Sequence, residues 1–153
     1  MNALDNIING IQNLSANEIL DRLSSEMYKS DFPTHDNLGC CPQFIQDTIL
    51  IIDLDSELSM EGICGVLENS IGNLLPQIIK ALHNIAATGE ANTLSNIYAA
   101  YQISPNSENI DSLAKKLYLY TGFDIWTLLE TYIEQEKNKY ITNKWLNHPE
   151  KVG

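Results

Sequence analysis

The amino-acid sequence predicts an all-α fold, a single compact domain of about eight helices, and three observations lead there. Apolar residues recur at three- and four-residue steps through nearly the whole chain. Helix-starting and helix-stopping residues fall between those runs. No internal repeat of fixed period is present, which argues against a helical solenoid. At 153 residues the chain is long enough for one domain with its own core and short for two. That domain is expected over residues 1–147, with 148–153 as a frayed tail.

Leu4, Ile7, Ile8, Ile11 and Leu14 form the stripe of a first amphipathic helix. Ser15-Ala16-Asn17-Glu18 then reads as a capping box, opening a second helix with Ile19, Leu20, Leu23 and Met27 on its buried face. Residues 30–39 have turn chemistry and no period. Pro42 suits the first turn of a third helix, where its missing N–H costs nothing, and Phe44, Ile45, Ile49 and Ile52 follow as its apolar face. Residues 48–53 alone would also suit a buried strand, but no comparable strand lies nearby to pair with them. Ser59 is expected to cap a short fourth helix through Leu67. A fifth helix has Pro76 in its first turn and Leu75, Ile78, Leu82 and Ile85 inward, with Thr88-Gly89 as its stop. A sixth carries Leu94, Ile97, Tyr98 and Tyr101 and ends before Ser104-Pro105. A seventh runs over 110–120 to a break at Thr121-Gly122. Asp124 should cap the eighth, which extends through Leu128, Leu129, Tyr132 and Ile133 towards Trp145.

Charge narrows the function. The formal net charge is −11, and residues 1–76 hold twelve acids against Arg22 and Lys29, a balance of −10. Residues 77–153 hold eight acids against seven lysines, a balance of −1. A field of that sign repels nucleic acid and anionic membrane and draws in basic surfaces. With one arginine in the chain, direct nucleic-acid binding lacks the cations that phosphate contacts require. No apolar run approaches the ~18 residues of a membrane span. Asp5 lies where a signal peptide would be positive. Cys40, Cys41 and Cys64 are an odd set with a vicinal pair, not a disulfide framework. Reduced thiols and a cytoplasmic location are the expectation.

No catalytic or metal site emerges, and no cofactor is implied. The triplet Asp53, Asp55, Glu57 fails as a calcium loop, because Leu58 stands at the sixth position and Cys64 at the twelfth. His35 with Cys40 and Cys41 has the residue types of a zinc site without the spacing. A Cys64–His83 nucleophilic pair is formally available, but Cys64 in an apolar helix reads as a small core residue. Asp53, Glu57 and Glu61 stand four residues apart, so on a helix their carboxylates share a face and repel one another, a strain that a basic partner relieves. The alternative is an ordinary solvated face.

Residues 57–76 (ELSMEGICGVLENSIGNLLP) and 81–87 (ALHNIAA) carry a further signal. They resemble a bacterial family of helical proteins that includes a DNA-mimic protein. Glu57, Gly62, Ile63, Leu67, Asn69, Ser70, Gly72, Leu82, Ile85 and Ala87 match its pattern. Its double Asn and double Gly are reduced here to Ser59, Met60, Glu61 and Gly62, and the Gly of its last step is Ala86. The resemblance implies an all-α fold, no known catalysis, often a homodimer, and an acidic surface directed at a DNA-binding protein. Related domains also look like immunity proteins encoded beside secreted bacterial toxins. Charge and resemblance together lead to the expectation of an inhibitory binding protein that covers the basic site of a partner. A toxin-neutralising immunity protein comes first, and a DNA mimic acting on a transcription regulator second. The contact acids expected are Asp47, Asp53, Asp55, Glu57, Glu61 and Glu68.

Overall fold

A computed structural model describes residues 2–38, 41–117 and 124–147. Among these residues every regular element is helical. Seven α-helices follow in order: α1 Ala3–Asn9, α2 Ala16–Glu26, α3 Gln43–Glu68, α4 Leu75–Asn84, α5 Thr88–Ile103, α6 Glu108–Ala114 and α7 Ile125–Asn147. Short 3₁₀ turns at Ile11–Asn13, His35–Asn37 and Ser70–Leu74 link them. The expected tail at 148–153 and the break at Thr121-Gly122 lie outside the described residues.

The chain divides into two units. The first comprises Met1–Ile49 with Leu129–Gly153, and the second Leu50–Leu128.

In the first unit, Asn2 with Asp5 and Ser15 with Glu18 each form a reciprocal capping box, so α1 and α2 begin where their side chains satisfy the free N–H groups. Ile7, Ile11, Ile19, Leu23, Phe44, Ile45, Ile49, Leu129 and Ile133 form its core. A buried lysine sits at the edge of this apolar set. Lys137, 9% exposed, donates to the Leu14 backbone carbonyl at 3.1 Å and pairs with Glu134 at 3.4 Å. Its stem lies in apolar surroundings while the ammonium finds an acceptor.

In the second unit, α4 buries Leu75, Ile78, Ala81 and Leu82 at helical spacing and packs on α5, which packs in turn on α6. Pro76 lies in the first turn of α4, as its missing donor favours. The end of α4 differs from expectation: Thr88 and Gly89 start α5, and the stop lies at Ala86. There the Ala87 N–H donates to the Leu82 carbonyl and the Ala86 N–H to that of His83, a Schellman closure. It requires a left-handed residue, and Ala86 supplies it at φ 72°.

The expected third and fourth helices are one element, α3, bent at Gly62 (φ 70°, ψ −169°) instead of broken at Ser59. This corner of backbone space is open to glycine almost alone. Ser59 caps nothing, because the helix runs through it. With α3 counted once, seven α-helices stand among the described residues, close to the eight expected. Residues 48–53 are helical, which removes the strand alternative.

A candidate anionic interface on the third helix

The first ten residues of α3 are buried almost all round: Phe44, Ile45, Asp47, Thr48, Ile49, Leu50, Ile51 and Ile52. A helix apolar on all sides belongs to an interior. Asp47 sits in this stretch and is 1% exposed. Its Oδ2 accepts from the Tyr132 hydroxyl at 2.5 Å and its Oδ1 from the Gln43 side-chain amide at 2.9 Å. Burial first, and then the hydrogen bond to Asp47, push the Tyr132 phenol well above its usual range. Asp47 therefore leaves the set of surface contact acids. The expectation fails there because helical period alone does not mark which turns are covered on every side.

From Asp53 onward α3 emerges. Asp53, Asp55 and Glu57 are half-buried, whereas Glu61 and Glu68 are exposed. At about 1.5 Å rise and 100° per residue, Asp53, Glu57 and Glu61 make a row at steps of about 6 Å within one sector of the helix. Asp55 is about 200° from Asp53 and faces elsewhere. Glu68 lies past the Gly62 bend, so it does not continue the row. Glu57 accepts a hydrogen bond from the Asn69 side-chain amide. Glu61 and Glu68 make no hydrogen bond or ion pair among the described residues.

Two features of this stretch go beyond the sequence expectation. No lysine or arginine occurs between Lys29 and Lys80, a span that holds eight acids. A count by halves blurs that gap. Met60, 78% exposed, stands in the same sector as Asp53, Glu57 and Glu61, just before the bend.

The imbalance between sequence halves does not survive as an imbalance between units. The first unit has eleven acids against six bases, or −5, and the second nine acids against three lysines, or −6. The ion pairs Lys29–Glu26, Lys137–Glu134 and Lys139–Glu136 are all local pairs in the first unit. The stretch 53–68, wholly within the second unit, is thus the concentrated anionic feature, with no cation in its own sequence.

Among the described residues no three His, Cys, Asp or Glu side chains converge to hold a metal ion. Cys64 is exposed, not a core residue, and Cys41 is half-buried; neither forms a disulfide among the described residues. Cys40 lies outside the described residues. No helix among those described is long and apolar enough to cross a membrane.

Residues 41–136 match the model of the family described as DMP19-like protein. No curated protein and no solved structure matches the chain. The matched span contains the whole of α3 and all six acids expected at the interface.

Proposed function

The chain belongs to the DMP19-like protein family, a family of DNA mimics, and from that premise we propose that it acts without catalysis, by occupying the DNA-binding surface of a basic protein. The observation that carries this reading is the cation-free acidic stretch at the emergent end of α3, inside the family match. Glu61 and Glu68 are the exposed acids offered to the partner; Asp53 lies half-buried in the row of Glu61, and Asp55 faces another side of the helix. Family membership favours the mimic over the toxin-neutralising immunity protein, for which no observation speaks.

Magnitudes shape the reading. One DNA strand presents a charge about every 3.4 Å of axis, whereas the row on α3 presents one about every 6 Å. The row imitates a few phosphates and not a long duplex. Its complex should accordingly weaken with salt less steeply than the partner's complex with DNA. Opposite charge here speeds encounter and selects the partner more than it tightens binding.

The test is capture from lysate on the immobilised full chain, followed by competition with duplex DNA. A DNA-binding protein displaced by duplex, and lost when Glu61 and Glu68 are both changed to Lys, is the expected result. A captured partner that duplex DNA leaves in place ends the mimic reading.

A further inference from the structure

Glu57 is charged, half-buried and set in the acidic row, yet its carboxylate already has a partner within the fold. Its Oε1 accepts from the side-chain amide of Asn69, twelve residues on and past the Gly62 bend. The same oxygen lies 3.1 Å from where a Cβ on Gly65 would stand, and that Cβ would also overlap Glu61 Cβ. Only a residue without a side chain lets the Glu57 arm cross there. A Cβ on Gly72 would overlap the Leu67 carbonyl oxygen, so the chain just after Asn69 is also closely held. Gly62 supplies the bend, Gly65 the passage and Asn69 the donor.

We propose that Glu57 is a positioning residue and not a contact acid. Its carboxylate clasps Asn69 across the bend and thereby fixes the angle at which the exposed Met60 and Glu61 face the partner. The proposal rests on the anionic-interface reading above. It deepens that reading by adding an apolar anchor of the type enriched at interfaces, held beside an acid, so that the fitting partner surface is a cation flanking an apolar hollow. What the clasp needs from residue 57 is an acceptor oxygen on a side chain of this length; a Gln supplies that oxygen without the charge.

Glu57→Ala and Glu57→Gln remove the same charge, and only the first removes the acceptor. That contrast is the test, made on the full chain with Asn69→Ala, the double variant Glu57→Ala/Asn69→Ala, and Glu61→Gln as reference. Urea denaturation should show Glu57→Ala and Asn69→Ala each lowering the folding constant about fivefold. The double variant should be no worse than either alone, the mark of coupled partners, and Glu57→Gln should restore most of the loss. Affinity for a fluorescein-labelled oligolysine peptide, read by anisotropy at fixed low salt, should fall about threefold in Glu61→Gln. It should fall similarly in Glu57→Ala, but remain within about 1.5-fold of wild type in Glu57→Gln. Equal losses in Glu57→Ala and Glu57→Gln overturn the proposal alone, because charge would then be the whole role. Additive folding losses overturn it as well. If Glu61→Gln leaves oligolysine affinity unchanged, the anionic-interface reading falls and takes the positional claim with it, while the folding cycle separately reports whether the clasp exists.

Discussion

The two ends of α3 use the same chemical group for opposite purposes. At residue 47 the helix is covered on all sides, and the carboxylate is enclosed between the Tyr132 hydroxyl and the Gln43 amide. At residue 61, fourteen positions along, the carboxylate is exposed and has no partner among the described residues. A buried acid must be hydrogen-bonded to be tolerated, so Asp47 is committed to the fold. An exposed acid contributes little to folding and is available to something outside it. Burial, and not the identity of the residue, separates architecture from recognition on this helix.

The hardest strike at that comparison is Asp47→Ala. Removing the carboxylate leaves a buried phenol and an amide without their acceptor, which costs about 3 kcal/mol. Urea denaturation should register that loss as a lower midpoint. Partner capture by the protein that remains folded should be unchanged. A variant of normal stability that captures nothing would reverse the roles assigned to the two ends.

The emergent end is broken differently, through its backbone. At Gly62 a Cβ would meet nothing within 4 Å, so Gly62→Ala tests conformation without steric overlap. An alanine forced to φ 70°, ψ −169° costs about 2 kcal/mol. If α3 instead straightens through residue 62, circular dichroism will show retained helix and the midpoint will barely move, and the bend will have proved dispensable to the fold.

A third change sharpens the buried end by pH. Tyr132 has its pKa raised on folding, so the unfolded chain releases its phenolic proton first. The stabilisation is complete below the unfolded value of about 10 and declines as pH rises above it. Tyr132→Phe should lower stability at neutral pH by about 1.5 kcal/mol. It should also flatten the fall in stability above pH of about 10, as followed by urea midpoints across the alkaline range. A variant with the wild-type slope would place the alkaline sensitivity in other tyrosines.

What the sequence makes legible follows the same division. The capping box at Ser15 and the cap at Asp124, which accepts from the Trp126 N–H at 3.0 Å, are readable because the signal is local and lies within three residues. The apolar stripe of α4 is readable because one covered face leaves a period. Asp47 is not, because a helix covered all round leaves no period to distinguish a buried acid from a surface one. The bend at Gly62 is hidden because a Ser three residues earlier offers a more familiar helix signal, and a left-handed extended glycine leaves no mark in hydropathy. Glu57 and Asn69 are both visible as matching family positions, but a bond between residues twelve apart depends on a bend that the pattern does not place.

Ala86 offers the finest comparison, since it and Gly62 are the described positions of positive φ, both in the second unit. At Gly62 the sequence supplies the one residue that the backbone accepts. At Ala86 it supplies a residue that the backbone only tolerates. The Schellman closure of α4 needs a left-handed residue after Ile85, and an alanine there carries the Cβ–carbonyl crowding that makes this conformation unfavourable by about 1 kcal/mol. Ala86→Gly relieves that crowding but gives the unfolded chain more freedom to lose. Relief of strain outweighs the lost entropy, so the net effect should be a gain of about 0.5 kcal/mol, read as a raised urea midpoint with unchanged slope. The side chain is exposed, so no packing loss offsets the gain. A lowered midpoint would mean that chain entropy dominates at this turn, and that alanine, not glycine, suits a left-handed cap here.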